Sequence, residues 1–107
     1  MKKLRRRYVS FRLHTENKKI SEKDLTTSIW NNLLSIYGEV HSADSRLYMS
    51  DYDKNQSTGI LHCNAVLLRE VLTAACLIGS IKGIKVCFEP KKTAGTIKSL
   101  RERPRPQ

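Results

Sequence analysis

Residues 7–14 alternate: Val9, Phe11 and Leu13 point one way, and Tyr8, Ser10, Arg12 and His14 the other. A period of two is that of a strand with one buried face. Ser21-Glu22-Lys23-Asp24 has the form of a capping box, in which Ser21 accepts a backbone N–H near Asp24. Leu25, Ile29, Leu33, Ile36 and Tyr37 follow at spacings of three and four, which predicts an amphipathic helix. Gly38 suits the left-handed backbone that ends it.

A second alternation covers residues 45–52, with Leu47 and Met49 on one face and Tyr48 on the other. The polar run Asp53-Lys54-Asn55-Gln56-Ser57 then turns the chain into a short strand at residues 59–63, and the two read as a hairpin with a longer loop. Asn64 can cap a second helix whose apolar positions are Leu68, Val71, Leu72, Ala75 and Ile78, closed by Gly79. After Lys82-Gly83, residues 84–88 alternate as a fourth strand, and Pro90, which lacks an N–H, is expected to stop it.

Strand, helix, strand, strand, helix, strand is the order of an α+β, ferredoxin-like sandwich, the architecture also used by RNA-recognition motifs. Right-handed crossovers place the first and third strands in the centre of a four-stranded antiparallel sheet, with both helices on one face. The other face stays open and carries Tyr8, Ser10, Arg12, Ile60 and His62. Residues 1–98 are expected to form this one domain. Residues 99–107, ending Arg103-Pro104-Arg105-Pro106-Gln107, form a basic tail that cannot continue a helix or pack.

Charge changes the picture. The chain of 107 residues has a net charge of +10, and the surplus sits at its ends. Residues 1–12 hold six basic groups and no acid (Lys2, Lys3, Arg5, Arg6, Arg7, Arg12). Residues 91–107 hold six more (Lys91, Lys92, Lys98, Arg101, Arg103, Arg105) against Glu102 alone. Between them, eight basic and nine acidic groups leave the middle at −1. Single-sign blocks raise a local potential that attracts phosphates, and nucleic acid is the usual target. Such groups position a protein on folded RNA through counterion release, while Tyr8 and Arg12 can add specificity by stacking. Gly95-Thr96-Ile97-Lys98 reads either as a plain turn or as the start of a short helix with N–H groups free for phosphate.

The RNA-recognition motif stacks bases on aromatics of its central strands. Thr58-Gly59-Ile60-Leu61-His62-Cys63 has no such aromatic and no basic-Gly-aromatic signature, so the topology matches without the stacking chemistry. Four other segments, in order, carry a different likeness. They are Arg6-Arg7-Tyr8-Val9-Ser10-Phe11, Tyr37-Gly38-Glu39, Thr58-Gly59-Ile60-Leu61-His62-Cys63-Asn64 and Ala94-Gly95-Thr96-Ile97-Lys98. Together they resemble the ribonuclease P protein component 2 family, small archaeal subunits related to a eukaryotic ribonuclease P and MRP protein. The resemblance implies a ferredoxin-like sandwich that binds the catalytic RNA beside a barrel-shaped partner, ribonuclease P protein component 3. It implies a role in removing the 5′ leader of precursor tRNA. Family members often carry Arg or Lys where this chain has His62, and many end in a longer helix.

For catalysis by the protein itself the residues offer little. Asp51 and Asp53 sit at a hairpin turn, where Asp serves local hydrogen bonds. His14, His41 and His62 have no evident ordered partner, and no Ser-His-Asp, Cys-His or Walker arrangement is present. The chain alone is therefore expected to be inactive and to bind no cofactor, with Mg²⁺ held by the RNA. Cys63, Cys76 and Cys87 lack a C-x-x-C pair and read as reduced, buried thiols. No stretch approaches 18 apolar residues and the basic N-terminus has no signal-peptide run, so a soluble, cytoplasmic chain is expected. Ile29, Trp30, Leu33 and Leu34 give the first helix more apolar width than one sheet face needs. Trp30 and Leu34 are the candidate protein interface, and a second copy of the chain is a further candidate partner. Two rival readings are a stand-alone RNA endonuclease using Asp51 and Asp53, and a ligand-sensing ferredoxin-like dimer.

Overall fold

The computed structural model describes residues 5–16 and 18–96. Its elements in chain order are β1 (Arg6–Thr15), α1 (Glu22–Tyr37), a short α2 (Glu39–Ser42), β2 (Tyr48–Asp53), β3 (Thr58–Asn64), α3 (Leu68–Cys76), β4 (Ser80–Ile81) and β5 (Ile84–Ala94). The strands form one antiparallel sheet in the order β2-β3-β1-β5-β4. The protein is thus a mixed α+β sandwich with β1 at the middle of the sheet.

Local chemistry explains the helices. Ser21 Oγ accepts the Asp24 N–H at 3.2 Å, and Glu22 and Asp24 place negative charge on the positive end of α1. Leu25, Ile29 and Leu33 recur every four residues and are fully buried. Gly38 ends the helix at φ 84°, its N–H donating to the Leu34 carbonyl at 2.9 Å. Asn64 caps as expected, accepting the Val66 N–H at 3.3 Å, but it opens a single 3₁₀ turn (Ala65–Leu67) ahead of α3. Val9, Phe11 and Leu13 of β1 meet α1 and the Val71, Ala74 and Ala75 face of α3 in the core. The Phe11 and Phe88 rings stack there at 4.7 Å.

The structure departs from the sequence expectations at several points. Among the described residues there are five strands, not four, because Lys82 and Gly83 both take positive φ (51° and 80°) and fold β4 back on β5 as a two-residue hairpin. Pro90 does not stop the last strand. It sits where the β1–β5 register shifts, Phe11 opposite Pro90 and Ser10 opposite Lys92, and a bulge tolerates the missing N–H. Residues 45–47 are not strand, since Ala43–Ser45 make a 3₁₀ turn and Arg46 takes φ 49°. Helix α3 ends at Cys76, two residues short of Ile78, and Gly79 accepts the Val86 N–H instead of closing it. Ile36 lies outside the buried stripe, and Cys76 and Cys87 are exposed, leaving Cys63 as the buried thiol. Among the described residues no helix is long and apolar enough to cross a membrane.

Candidate nucleic-acid interface

The alternation that buries Val9, Phe11 and Leu13 turns Arg6, Tyr8, Ser10, Arg12 and His14 to the side of the sheet away from the helices. Register then organises that side in rows. Tyr8 lies opposite His62, and His62 opposite Tyr48, so three rings line up across β1, β3 and β2. Both tyrosines meet the imidazole edge-on, Tyr8 at 4.7 Å and Tyr48 at 5.2 Å. His62 is therefore 7% exposed despite facing away from the core, while Tyr48 is 61% exposed. The imidazole also shares a 2.6 Å hydrogen bond with Ser50 Oγ through Nε2. Burial pushes its pKa below the ordinary 6.5 and the Arg6 charge adds to this, with Asp51 opposing. The ring is accordingly neutral at physiological pH.

Below the rings, Ser10 lies opposite Ile60 on one side and Lys92 on the other, and Arg12 opposite Thr58 and Glu89. Ser10, Arg12, Asp51, Thr58, Ile60 and Lys91 line a groove of about 550 Å³. Glu89 is engaged by His14 Nε2 at 2.8 Å and Lys91 Nζ at 2.9 Å. Hydrogen bonds from His14 first, then Lys91, hold its carboxyl below the usual range.

Of the cations singled out from the sequence, Arg6, Arg12 and Lys92 share this face with Tyr8, and Lys91 lines its groove. Arg7 does not join them. It lies opposite Cys63, whose side chain is in the core, and its Nη1 donates to the Arg6 carbonyl at 3.1 Å. Arg5 is exposed just before β1, its carbonyl accepting the Ala65 N–H at 2.7 Å. Lys2, Lys3, Lys98 and Arg101 lie outside the described residues, as do the tail and the end of the Gly95 segment.

On the opposite layer, Trp30 and Leu34 are half-buried beside the Leu25, Ile29 and Leu33 stripe. Trp30 lines a groove of about 290 Å³ with Thr26, Ala43, Ser45, Arg46 and Leu47. The histidines do have partners: Glu89 for His14, Ser50 for His62, and the Tyr37 ring at 5.6 Å for His41. Asp53 Oδ1 accepts the N–H groups of Asn55 and Gln56 at 2.9 and 3.3 Å, the local turn role expected of it. Among the described residues no three His, Cys, Asp or Glu side chains converge as a metal site.

A family model described as the Rpp14/Pop5 family matches residues 7–104. The chain belongs to the Rpp14/Pop5 family. A family relative named ribonuclease P protein component 2, from Archaeoglobus fulgidus, is 32% identical over 92% of this chain and 87% of its own length. Another of that name, from Pyrococcus furiosus, is 27% identical over 92% of this chain and 82% of its own. The Rpp14/Pop5 chain also superposes on a chain in the cryo-EM structure of yeast ribonuclease MRP with a TM-score of 0.73, at 11% identity, over all of this chain and 84% of that one. That last likeness is one of fold.

The residue that sequence reasoning passed over is Tyr48. Its alternation with Met49 already put it on the open side, but only the hairpin register shows that it completes a row with His62 and Tyr8.

Proposed function

We propose that this Rpp14/Pop5 chain is an RNA-binding, non-catalytic protein subunit of ribonuclease P. In this reading it is part of an endoribonuclease whose chemistry resides in the RNA, with Mg²⁺ held there, and it helps remove the 5′ leader of precursor tRNA. The observation that carries the reading is the open sheet face, where Arg6, Arg12, Lys91 and Lys92 surround an aromatic row, in a chain whose relatives are named ribonuclease P protein component 2. Lys2, Lys3, Arg5, Arg7, Lys98 and Arg101 extend the phosphate-binding charge from the chain's ends. Each such contact releases counterions and screens the repulsion that opposes the compact RNA fold.

The sheet order β2-β3-β1-β5 supports the ferredoxin-like description, with β4 as an added edge. The Trp30–Leu34 flank of α1 is the proposed seat of the barrel-shaped protein component 3, because a half-buried Trp beside a groove is a typical interface anchor. A second copy of the chain is an alternative occupant, and the assembly is placed in the cytoplasm.

Reconstitution tests this. Precursor tRNA cleavage is measured with ribonuclease P RNA alone, with the chain alone, and with both plus protein component 3, at limiting Mg²⁺. The expected result is no cleavage by the chain alone and faster cleavage when it joins the RNA and its partner. Cleavage by the RNA-free chain, abolished by Asp51→Asn or Asp53→Asn, would contradict the proposal and favour the endonuclease.

A further inference from the structure

Tyr48 stands on β2, the strand that ends the sheet on that side, and the residue is 61% exposed. Its only ring neighbour among the described residues is His62, at 5.2 Å and an interplanar angle of 82°. An edge-on contact covers at most one of the two π-faces of Tyr48, and among the described residues no other ring stands against it. The ring is also held in place from below. His62 is buried, tied to Ser50 at 2.6 Å, and braced from the far side by Tyr8 at 4.7 Å.

A fixed aromatic with an uncovered π-face on a sheet is a platform for a flat ring. What would occupy it follows from the charge around it. Arg6 lies in the next register position on the same face, near enough to His62 to depress its pKa, and Arg12, Lys91 and Lys92 continue the charge across β1 and β5. Of the acids on this side, Glu89 is engaged by His14 and Lys91, and Asp51 lines the groove together with Arg12 and Lys91, so the basic groups outnumber them. An exposed aromatic beside a cationic track is the arrangement that binds single-stranded nucleic acid, the base on the ring and the backbone along the charges. A double helix cannot use it, because its bases are stacked on one another.

We propose that Tyr48 is a base-stacking site, which takes an unpaired nucleobase of single-stranded RNA while Arg6 holds a nearby phosphate and Arg12, farther along β1, a more distant one of the same strand. This rests on the RNA-binding reading and adds to it a ligand class, an unstacked nucleotide in a loop, bulge or single-stranded end. The stacking aromatic comes from the edge strand β2, not from the central strands where an RNA-recognition motif carries it.

The test compares full-length wild-type, Tyr48→Ala and Tyr48→Phe chains. Each is titrated at fixed salt against a fluorescein-labelled mixed-sequence single-stranded RNA of twelve nucleotides and against a duplex of the same length. Tyr48→Ala should weaken single-strand binding about 5- to 150-fold, the range for losing one stacking aromatic, and Tyr48→Phe should restore it to within about threefold. Duplex affinity should change less than twofold in both. Equal single-strand affinity for wild type and Tyr48→Ala would overturn the stacking site while leaving the RNA-binding reading intact. The same holds if Tyr48→Ala impairs only binding to protein component 3. Wild type binding neither RNA would overturn both.

Discussion

The ring of Tyr8 meets the ring of His62 at 4.7 Å and an interplanar angle of 77°, and the two residues are direct register partners across β1 and β3. The contact is made on the side of the sheet away from α1 and α3, so it gives that face a packed centre of its own. Arg6 and Arg12 stand on either side of it along β1. A cationic face with a buried aromatic centre presents charge at fixed positions, as recognition of a folded polyanion requires.

Because the pKa of His62 is lowered, the unfolded chain takes up a proton at this residue before the folded one does. Stability is complete above about pH 6.5, where both forms are neutral, and is lost as pH falls from there toward the depressed folded value. Urea unfolding at pH 7.5 and pH 5.5 should show the wild type less stable at the lower pH, and His62→Gln should flatten that difference. Identical pH dependence in the two proteins would show that His62 does not titrate differently on folding.

Gly59 is a close-approach position. A Cβ there would stand 3.1 Å from Phe11 Cζ and 3.1 Å from Tyr52 Cδ1. Neither ring can retreat easily, since Phe11 stacks on Phe88 and the Tyr52 hydroxyl donates to the Ile20 carbonyl at 2.6 Å. Gly59→Ala should cost about 1–3 kcal/mol by overpacking, read by chemical denaturation. An unchanged midpoint would mean that the rings move freely.

Trp30→Ala separates packing from partner binding. With Trp30 only half-buried, the substitution should cost less than the roughly 3–5 kcal/mol of a fully buried aromatic, and the domain should still fold. Titration with protein component 3 should then show a loss of about 2 kcal/mol or more. Undiminished partner binding by a folded variant would remove Trp30 from the interface.

Arg6 and Arg12 should act through phosphate. Each of Arg6→Ala and Arg12→Ala should reduce the magnitude of the log–log salt slope for duplex RNA by about 0.9, the increment expected for one phosphate contact on a duplex. An unchanged slope would place the contacts elsewhere, for example at the chain's ends.

Most of the fold was legible because its signals are local: the alternation of residues 7–14, the Ser21 cap and the four-residue spacing of Leu25, Ile29 and Leu33 each act within a few residues. What escaped depended on pairing. Pro90 reads as a terminator until the bulge opposite Ser10 and Phe11 accommodates it, and β4 is two residues long, too short for any periodicity. The site was half legible for the same reason. Charge blocks and Tyr8 are visible in one dimension, whereas the separation of Arg6 from Arg7 onto opposite faces follows from strand geometry. The junction of Tyr48, His62 and Tyr8 exists only once three strands are in register.

The most direct measurement of the central claim is the RNA that accompanies the chain in its own cell. Epitope-tagged full-length chain is purified under mild salt, and the bound RNA is sequenced against a mock purification. The expected result is strong enrichment of one structured RNA, the ribonuclease P RNA, which is lost when Arg6 and Arg12 are both replaced by Ala. Recovery of protein with no RNA enriched over the mock would contradict the account.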